Sequence, residues 1–339
     1  MRQTDLEYVL DLDGLARKVV EGGFKRAVVQ LPEGLRDLAP KILETLNELG
    51  VEAIVSAETC YGACDLAVWD AETVGADVIV HVGHSPMAVR TAIPTLYVDV
   101  SLRGMVREAV SNCLELLEGF RRVGVVSTIQ HVKYLHEACE TLRAGGLEPI
   151  VGGVGFRASV RGQVLGCDYR AATSISERVD CFLIICGGRF HPIGLAAATD
   201  KPVLVANPYT GRAWRVGDDG RRMLAKRAAA IQRASEAEVF GVLVGIKPGQ
   251  TQLKRASRIL ELLRKSGRRA YMFTVGEATV EKLESFRWVD AYVNTACPRI
   301  AFDGLPSLRK PLINYVEALV MLGVLGWDEA CRSGRLLEG

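Results

Sequence analysis

The chain has 339 residues, 49% of them hydrophobic, which suits two or three domains with full cores better than one. Its 42 Lys and Arg nearly balance 40 Asp and Glu, and a formal charge of +2 gives no field that would by itself recruit nucleic acid or an acidic membrane. No run approaches the roughly 18 to 20 apolar residues of a membrane span, and the polar opening Met1 to Asp13 lacks a charged-then-apolar signal, so a soluble, cytoplasmic protein is expected.

Nine cysteines is an odd number in a chain too large and apolar to need disulfide staples, so reduced thiols are expected. Cys113 and Cys139 fall in helical patterns, and Cys181 and Cys186 flank the apolar run Phe182 to Ile185. These four read as small buried hydrophobes, and Cys331 carries no information.

In chain order, Asp13 to Glu21 reads as a helix ended by Gly22-Gly23, and Arg26 to Leu31 as a strand. A turn at Pro32-Glu33-Gly34-Leu35 leads to the helix Leu38 to Leu49. The strand Val51 to Val55 then runs into the loop Glu58-Thr59-Cys60-Tyr61-Gly62-Ala63-Cys64-Asp65. A helix Ala67 to Val74, a strand Asp77 to Val82, a turn Gly83 to Pro86 and a strand Thr95 to Val100 complete a first series. Short apolar strands alternating with helices predict parallel α/β sheets.

The pattern restarts with helix Val106 to Gly119, strand Arg122 to Ser127, helix Tyr134 to Ala144 and strand Pro149 to Val151, which enters a loop reaching Cys167. Cys181 to Cys186 and Val203 to Ala206 are its later strands. A third series follows: helix Arg221 to Ser235, strand Phe240 to Gly245, helix Lys254 to Ser266, strand Ala270 to Thr274, helix Val280 to Phe286, strand Ala291 to Thr295, and then Cys297. A period of roughly 110 residues is domain-sized and suggests a triplicated α/β fold, with domains at residues 1–104, 105–214 and 215–339. Any α/β chain also looks repetitive at this resolution.

Loops after parallel strands sit at the carboxyl edge of a sheet, where such folds place their chemistry. One cysteine-bearing loop per third of the chain therefore suggests a shared metal site, although widely separated cysteines are more often unrelated core residues. Cys60 and Cys64 form C-x3-C, but Ala67 stands where the third cysteine of an ordinary radical S-adenosylmethionine loop belongs. A cubane cluster or a structural zinc takes four ligands, so three thiolates leave one metal position open. His84, His131 and His191 also follow strands and are expected to line a cleft. Gly187-Gly188 lacks the rest of any nucleotide fingerprint, and Lys226-Arg227 and Arg264 to Arg269 read as solvated helix faces.

Tyr61-Gly62-Ala63-Cys64-Asp65, His81-x-Gly83-His84-Ser85, Gly162-Gln163-Val164-Leu165-Gly166-Cys167, Phe190-His191-Pro192-x-Gly194-Leu195-Ala196 and Ala296-Cys297-Pro298-Arg299 resemble, in this order, the archaeal-type diphthamide synthase family. Gln30-x-Pro32-Glu33-Gly34-Leu35 and Asn207-Pro208-Tyr209-Thr210 extend the resemblance over nearly the whole chain.

The resemblance implies three similar α/β domains around a [4Fe-4S] cluster held by Cys64, Cys167 and Cys297, and a homodimer. Cys60 becomes an extra thiol. It further implies transfer of the 3-amino-3-carboxypropyl group of S-adenosyl-L-methionine to C2 of a histidine imidazole on translation elongation factor 2. One electron from the cluster, once reduced by an electron donor, would cleave the Cγ–S bond, release methylthioadenosine and leave an aminocarboxypropyl radical that adds to the ring. Under this reading His84 and His191 are acid–base or hydrogen-bonding groups near the cluster. Gln30, Glu33, Ser85, Gln130, Gly187, Gly188, Asn207 and Lys247 are candidates for the polar end of S-adenosylmethionine, with Pro192 and Pro208 near the adenine. The nearest rival, a quinolinate-synthase-like enzyme using the open iron as a Lewis acid, fits the cysteine contexts poorly.

Overall fold

A computed structural model describes residues 8–102, 104–332 and 334–337; the first seven residues of the polar amino-terminal run lie outside them. Three parallel sheets, each flanked by helices, make up the fold. The first has the strand order Glu52–Val55, Arg26–Gln30, Val78–Val82, Thr95–Val98. The second runs Ala213–Arg215, Val203–Ala206, Cys181–Ile185, Arg122–Ser127, Glu148–Val151, with only Ala213–Arg215 antiparallel. The third runs Arg269–Val275, Val239–Gly245, Ala291–Asn294, Leu312–Asn314. In chain order each sheet has its second strand at one edge, then the first, third and fourth. The direction of winding therefore reverses between the first and third strands, and ligands of open α/β sheets bind at such switch points.

The central strands form because they are apolar on both faces. Every residue of Cys181–Ile185 is fully buried, as expected of a parallel strand covered by helices on two sides. Cys113, Cys139, Cys181 and Cys186 are buried among these apolar side chains, and none of the nine cysteines is in a disulfide. Helix Leu12–Gly22 starts where the Asp11 carboxylate accepts from the Gly14 N–H at 3.0 Å, and stops at Gly23, whose φ of 63° is left-handed.

Several elements differ from the sequence reading. The expected helix over 106–119 is shorter, Val106–Ser111, followed by a 3-10 turn Glu115–Leu117. A helix Phe190–Ala198, absent from the elements read above, forms between two strands of the second sheet; Pro192 is tolerated in its first turn, where a missing N–H costs no internal hydrogen bond. The antiparallel pair Tyr8–Leu10 with Val100–Leu102, the edge strand Ala213–Arg215 and the strand Leu312–Asn314 are three residues each, too short for period-two patterning. Among the described residues no helix is long and apolar enough to cross a membrane.

The reading of Arg227 as solvated is also corrected. Lys226 is exposed, but Arg227 is buried on helix Asp219–Ser235 and donates from Nε and Nη2 to the Glu317 carboxylate at 2.7 and 2.6 Å. Its Nη2 also reaches the Leu312 carbonyl at 2.7 Å, while Glu317 accepts from the Asn314 N–H at 2.7 Å and completes a capping box. This bidentate pair ties a helix to the last strand of the third sheet, and burial makes losing one partner expensive. Arg227→Met should cost about 3 to 5 kcal/mol of unfolding free energy, read as earlier unfolding in urea. The double variant Arg227→Met/Glu317→Gln, which strands no charge, should be milder; equal midpoints for wild type and Arg227→Met would contradict this account.

Candidate functional site

Loops at the carboxyl ends of all three sheets converge on one cavity of about 480 Å3. Its wall contains Cys64, Cys167 and Cys297, together with His84, Ser85, Gln130, His191 and Lys247. Cys64 and Cys167 each follow the second strand of their sheet, but Cys297 follows the third strand of its own, so the three loops are not equivalent. A larger cleft of about 820 Å3 near Thr199, Asp218 and Arg221 contains none of these three cysteines.

The Cys64 loop is held from two sides. Behind it, Gln30 accepts from the Ala67 N–H at 3.1 Å and donates to the Asp65 carbonyl at 2.7 Å. In front, the third sheet's 247–250 loop docks on it. Lys247 Nζ donates to Asp65 Oδ2 at 2.6 Å, the Gly249 N–H donates to the Cys64 carbonyl at 2.9 Å, and Gln250 Nε2 lies 3.5 Å from Cys64 Sγ. A Cβ on Gly249 would sit 2.5 Å from Cys64 Cα, so glycine is required for this approach. The Lys247 ammonium also stands 4.7 Å from the centre of the Tyr61 ring, and Tyr61 donates to Glu277 at 2.8 Å.

The Cys167 loop is built on Asp168, whose carboxylate accepts from the N–H groups of Arg157 at 2.6 Å and Arg170 at 3.0 Å. The Arg157 guanidinium reaches the Gly249 carbonyl at 3.4 Å and so bridges the second and third sheets. Gln163, wholly buried, donates to Ser85 Oγ at 2.7 Å, and Gln130 donates to the Gly83 carbonyl at 3.1 Å. These two bonds join the second sheet to the first. Beside Cys297, Arg299 pairs with Asp303 and lies 3.7 Å from the centroid of the Phe190 ring. Its Nη1 is buried with no hydrogen-bond partner among the described residues.

Burial pushes the Cys167 thiol up to about 12, Cys297 up to about 11 and Cys64 also upward. Negative charge on one raises its neighbours: Cys64 acts on both others, and Cys297 on Cys167. The positive charge of Arg157 opposes this at all three. Three soft sulfur donors that share one desolvated pocket, but ionise poorly without a cation, suit a thiolate-bound metal centre; a bound metal ion deprotonates such thiols outright. The donor set thus fits an iron–sulfur cluster with one position free of protein thiolate.

The other sequence-picked residues lie elsewhere. His131 is fully buried away from the cavity, its ring edge-on to Tyr209, with neither nitrogen bonded among the described residues. Gln30 supports the Cys64 loop from behind, and Glu33 is exposed on the 3-10 turn Glu33–Leu38. Gly187 packs under the Tyr209 ring, Gly188 is exposed, and Pro192 is buried in its helix. Asn207 and Pro208 form a turn: Asn207 Oδ1 accepts from the Tyr209 N–H at 2.9 Å, and the Pro208 carbonyl from Met105 at 3.1 Å. None of these eight line the cavity. Arg157, Gln163, Gln250 and Arg299 were not picked individually as site residues, each being a single polar side chain outside any periodic pattern. Gln163 and Arg299 stood only inside the Cys167 and Cys297 motifs, Gln250 only at the end of the loop that begins with Lys247, and nothing local marked Arg157.

A second group of donors, Cys60, His81 and His84, offers one ligand atom each within 4.8 Å of one another. The two imidazoles, however, are hydrogen-bonded to each other, His81 Nε2 to His84 Nδ1 at 3.0 Å. Burial holds the Cys60 thiol up near 12, so it is a neutral neighbour.

A family model described as "putative diphthamide synthesis protein" matches residues 31–332. The 2-(3-amino-3-carboxypropyl)histidine synthase of Pyrococcus horikoshii is 41% identical over 304 residues, 89% of this chain and 87% of that protein. The human protein named 2-(3-amino-3-carboxypropyl)histidine synthase subunit 1 is 29% identical, over 92% of this chain and 71% of its own length. The crystal structure of Dph2 from P. horikoshii with a 4Fe-4S cluster superposes with a TM-score of 0.85 at 38% identity, covering 95% of this chain and 92% of that one. The chain therefore belongs to the diphthamide synthesis protein family.

Proposed function

We propose that this chain is a 2-(3-amino-3-carboxypropyl)histidine synthase that performs the first step of diphthamide formation. It transfers the 3-amino-3-carboxypropyl group of S-adenosyl-L-methionine to C2 of a histidine imidazole on translation elongation factor 2. The observation that carries this reading is the meeting of Cys64, Cys167 and Cys297 on one cavity. The name of the Pyrococcus relative and the 4Fe-4S cluster of the superposed Dph2 crystal structure support it.

Cys64, Cys167 and Cys297 would hold a [4Fe-4S] cluster. When bound, the cluster supplies the single electron that opens the sulfonium's Cγ–S bond and releases methylthioadenosine. The protein's own share is to bind, orient and exclude. Gln250 donates toward the Cys64 sulfur, and Arg157 places positive charge near all three thiolates. The unpartnered Arg299 Nη1 receives the substrate carboxylate, since a buried guanidinium N–H is costly to leave unsatisfied. Lys247, whose ammonium is committed to Asp65, shapes the Cys64 loop rather than reading the substrate. Ile129, Leu165, Phe190, Ile300 and Leu305 line the same cavity and keep water from the reacting carbon. We further propose that the chain works in the cytoplasm as a homodimer fed by an electron donor, as the family resemblance implies.

The direct test is anaerobic turnover of reconstituted, reduced protein with S-adenosylmethionine and elongation factor 2. Methylthioadenosine and an aminocarboxypropyl mass gain on the factor are expected; a full cluster yielding neither would refute the proposal. Cys167→Ala should lose cluster absorbance and both products, whereas Cys60→Ala should keep the cluster. Arg299→Lys should weaken S-adenosylmethionine binding by roughly 10- to 100-fold with cluster absorbance retained. Unchanged affinity would remove Arg299 from the carboxylate site.

A further inference from the structure

A buried polar chain starts behind the Cys64 loop and ends on the cavity, and its hydrogen bonds allow one assignment of protons. Gln30 closes strand Arg26–Gln30 and is 2% exposed. Its amide faces a backbone N–H, that of Ala67, and a backbone carbonyl, that of Asp65. The first can only donate and the second only accept, so the Gln30 oxygen and nitrogen cannot exchange places. That oxygen also lies 2.9 Å from His81 Nδ1. An amide oxygen does not donate, so His81 Nδ1 carries the ring's proton.

Burial keeps His81 neutral, its pKa pushed down to about 3, so its other nitrogen, Nε2, has only a lone pair. His81 Nε2 stands 3.0 Å from His84 Nδ1, which must supply the proton of that bond. His84 is also held neutral by burial, down to about 4. Its Nε2 is therefore an unprotonated acceptor. His84 lines the cavity, and among the described residues no hydrogen bond falls on this atom.

The transfer, taken as proposed above, has a use for such an atom. A Cγ–C2 carbon–carbon bond forms, and the Cγ–S and C2–H bonds break. The sulfur leaves in a neutral thioether. The overall transfer is redox-neutral, the electron that opens the sulfonium being handed back as the adduct regains its aromatic ring, so the C2 hydrogen would depart as a proton. Once C2 is tetrahedral that proton is acidic, and a weak neutral base suffices. Other ionisable groups on the cavity wall are engaged: Asp303 with Arg299, Glu277 with Tyr61, and Lys247 with Asp65. Burial first, and the nearby Arg299 charge second, oppose protonation of His191.

We infer that His84 Nε2 is the catalytic acceptor of the C2 proton, and that Gln30 and His81 are positioning residues that fix its tautomer. The inference rests on the transferase reading, and its test separates the two. Nitrogen-15 long-range correlation spectra of the labelled protein should show His81 and His84 both protonated at Nδ1, and His84 losing this single tautomer in Gln30→Leu. A proton on His84 Nε2 in the wild type would overturn the inference.

In the holoenzyme with elongation factor 2, His84→Asn keeps a donor toward His81 but has no ring Nε2. Transfer per methylthioadenosine released should fall by roughly 100-fold, and deuterium at the acceptor C2 should slow the variant but not the wild type. Gln30→Leu should lower the same ratio less, with cluster absorbance confirming that both variants fold. A normal ratio and no isotope effect in His84→Asn would overturn the role of His84 alone. No methylthioadenosine from the wild type would overturn the transferase reading and this inference with it.

Discussion

The docking of the 247–250 loop on the Cys64 loop is the contact on which the rest of the site depends. Lys247 and Asp65 meet at 2.6 Å across 182 residues of sequence, and Gly249 lies against the backbone of Cys64 with no room for a side chain. A buried ion pair is poor evidence of stability, because desolvation offsets its attraction, but it is strict about geometry. Burial indeed leaves the Asp65 carboxyl raised despite the adjacent ammonium. What the pair secures is registry. It sets the first sheet against the third, and Arg157, reaching Gly249 from beside the Asp168 carboxylate, sets the second sheet against both.

That registry decides the electrostatics of the cavity. Three thiols are brought close enough for each thiolate to oppose the next, and guanidinium groups of Arg157 and Arg299 are placed where they favour ionisation. The histidines around them stay neutral because water is excluded: His81, His84 and His191 are all pushed far below the ordinary imidazole range. Neutral imidazoles and paired carboxylates leave the charge of the site to arginines and to whatever the thiolates hold.

Much of the framework was legible in the sequence, because continuous apolar strands and amphipathic helices announce a parallel sheet through local pattern alone. The short edge strands were not, and neither was helix Phe190–Ala198, where Pro192 looks like a breaker until its first-turn position is known. Arg227 shows the limit of composition. Beside Lys226 it reads as one more surface cation, and only the distant Glu317, 90 residues on, makes it a core residue. The site divides in the same way. Cysteines in small-residue turns after strands stood out, while their supports did not. Gln163 to Ser85 spans 78 residues and Arg157 to Gly249 spans 92, and such loop-to-loop contacts leave no periodicity to detect. Gln30 is the instructive case: picked for the substrate, it lies behind the Cys64 loop and outside the cavity wall.

The central claim is that three non-equivalent loops hold one cluster with one iron free of protein thiolate. Mössbauer spectroscopy of the anaerobically reconstituted protein, with and without S-adenosylmethionine, tests it most directly. The account predicts a cubane in which a single iron subsite shifts when S-adenosylmethionine is added while the thiolate-bound subsites do not. A cluster whose subsites are all insensitive to S-adenosylmethionine, or iron retained in full after Cys64, Cys167 and Cys297 are together replaced by alanine, would contradict it.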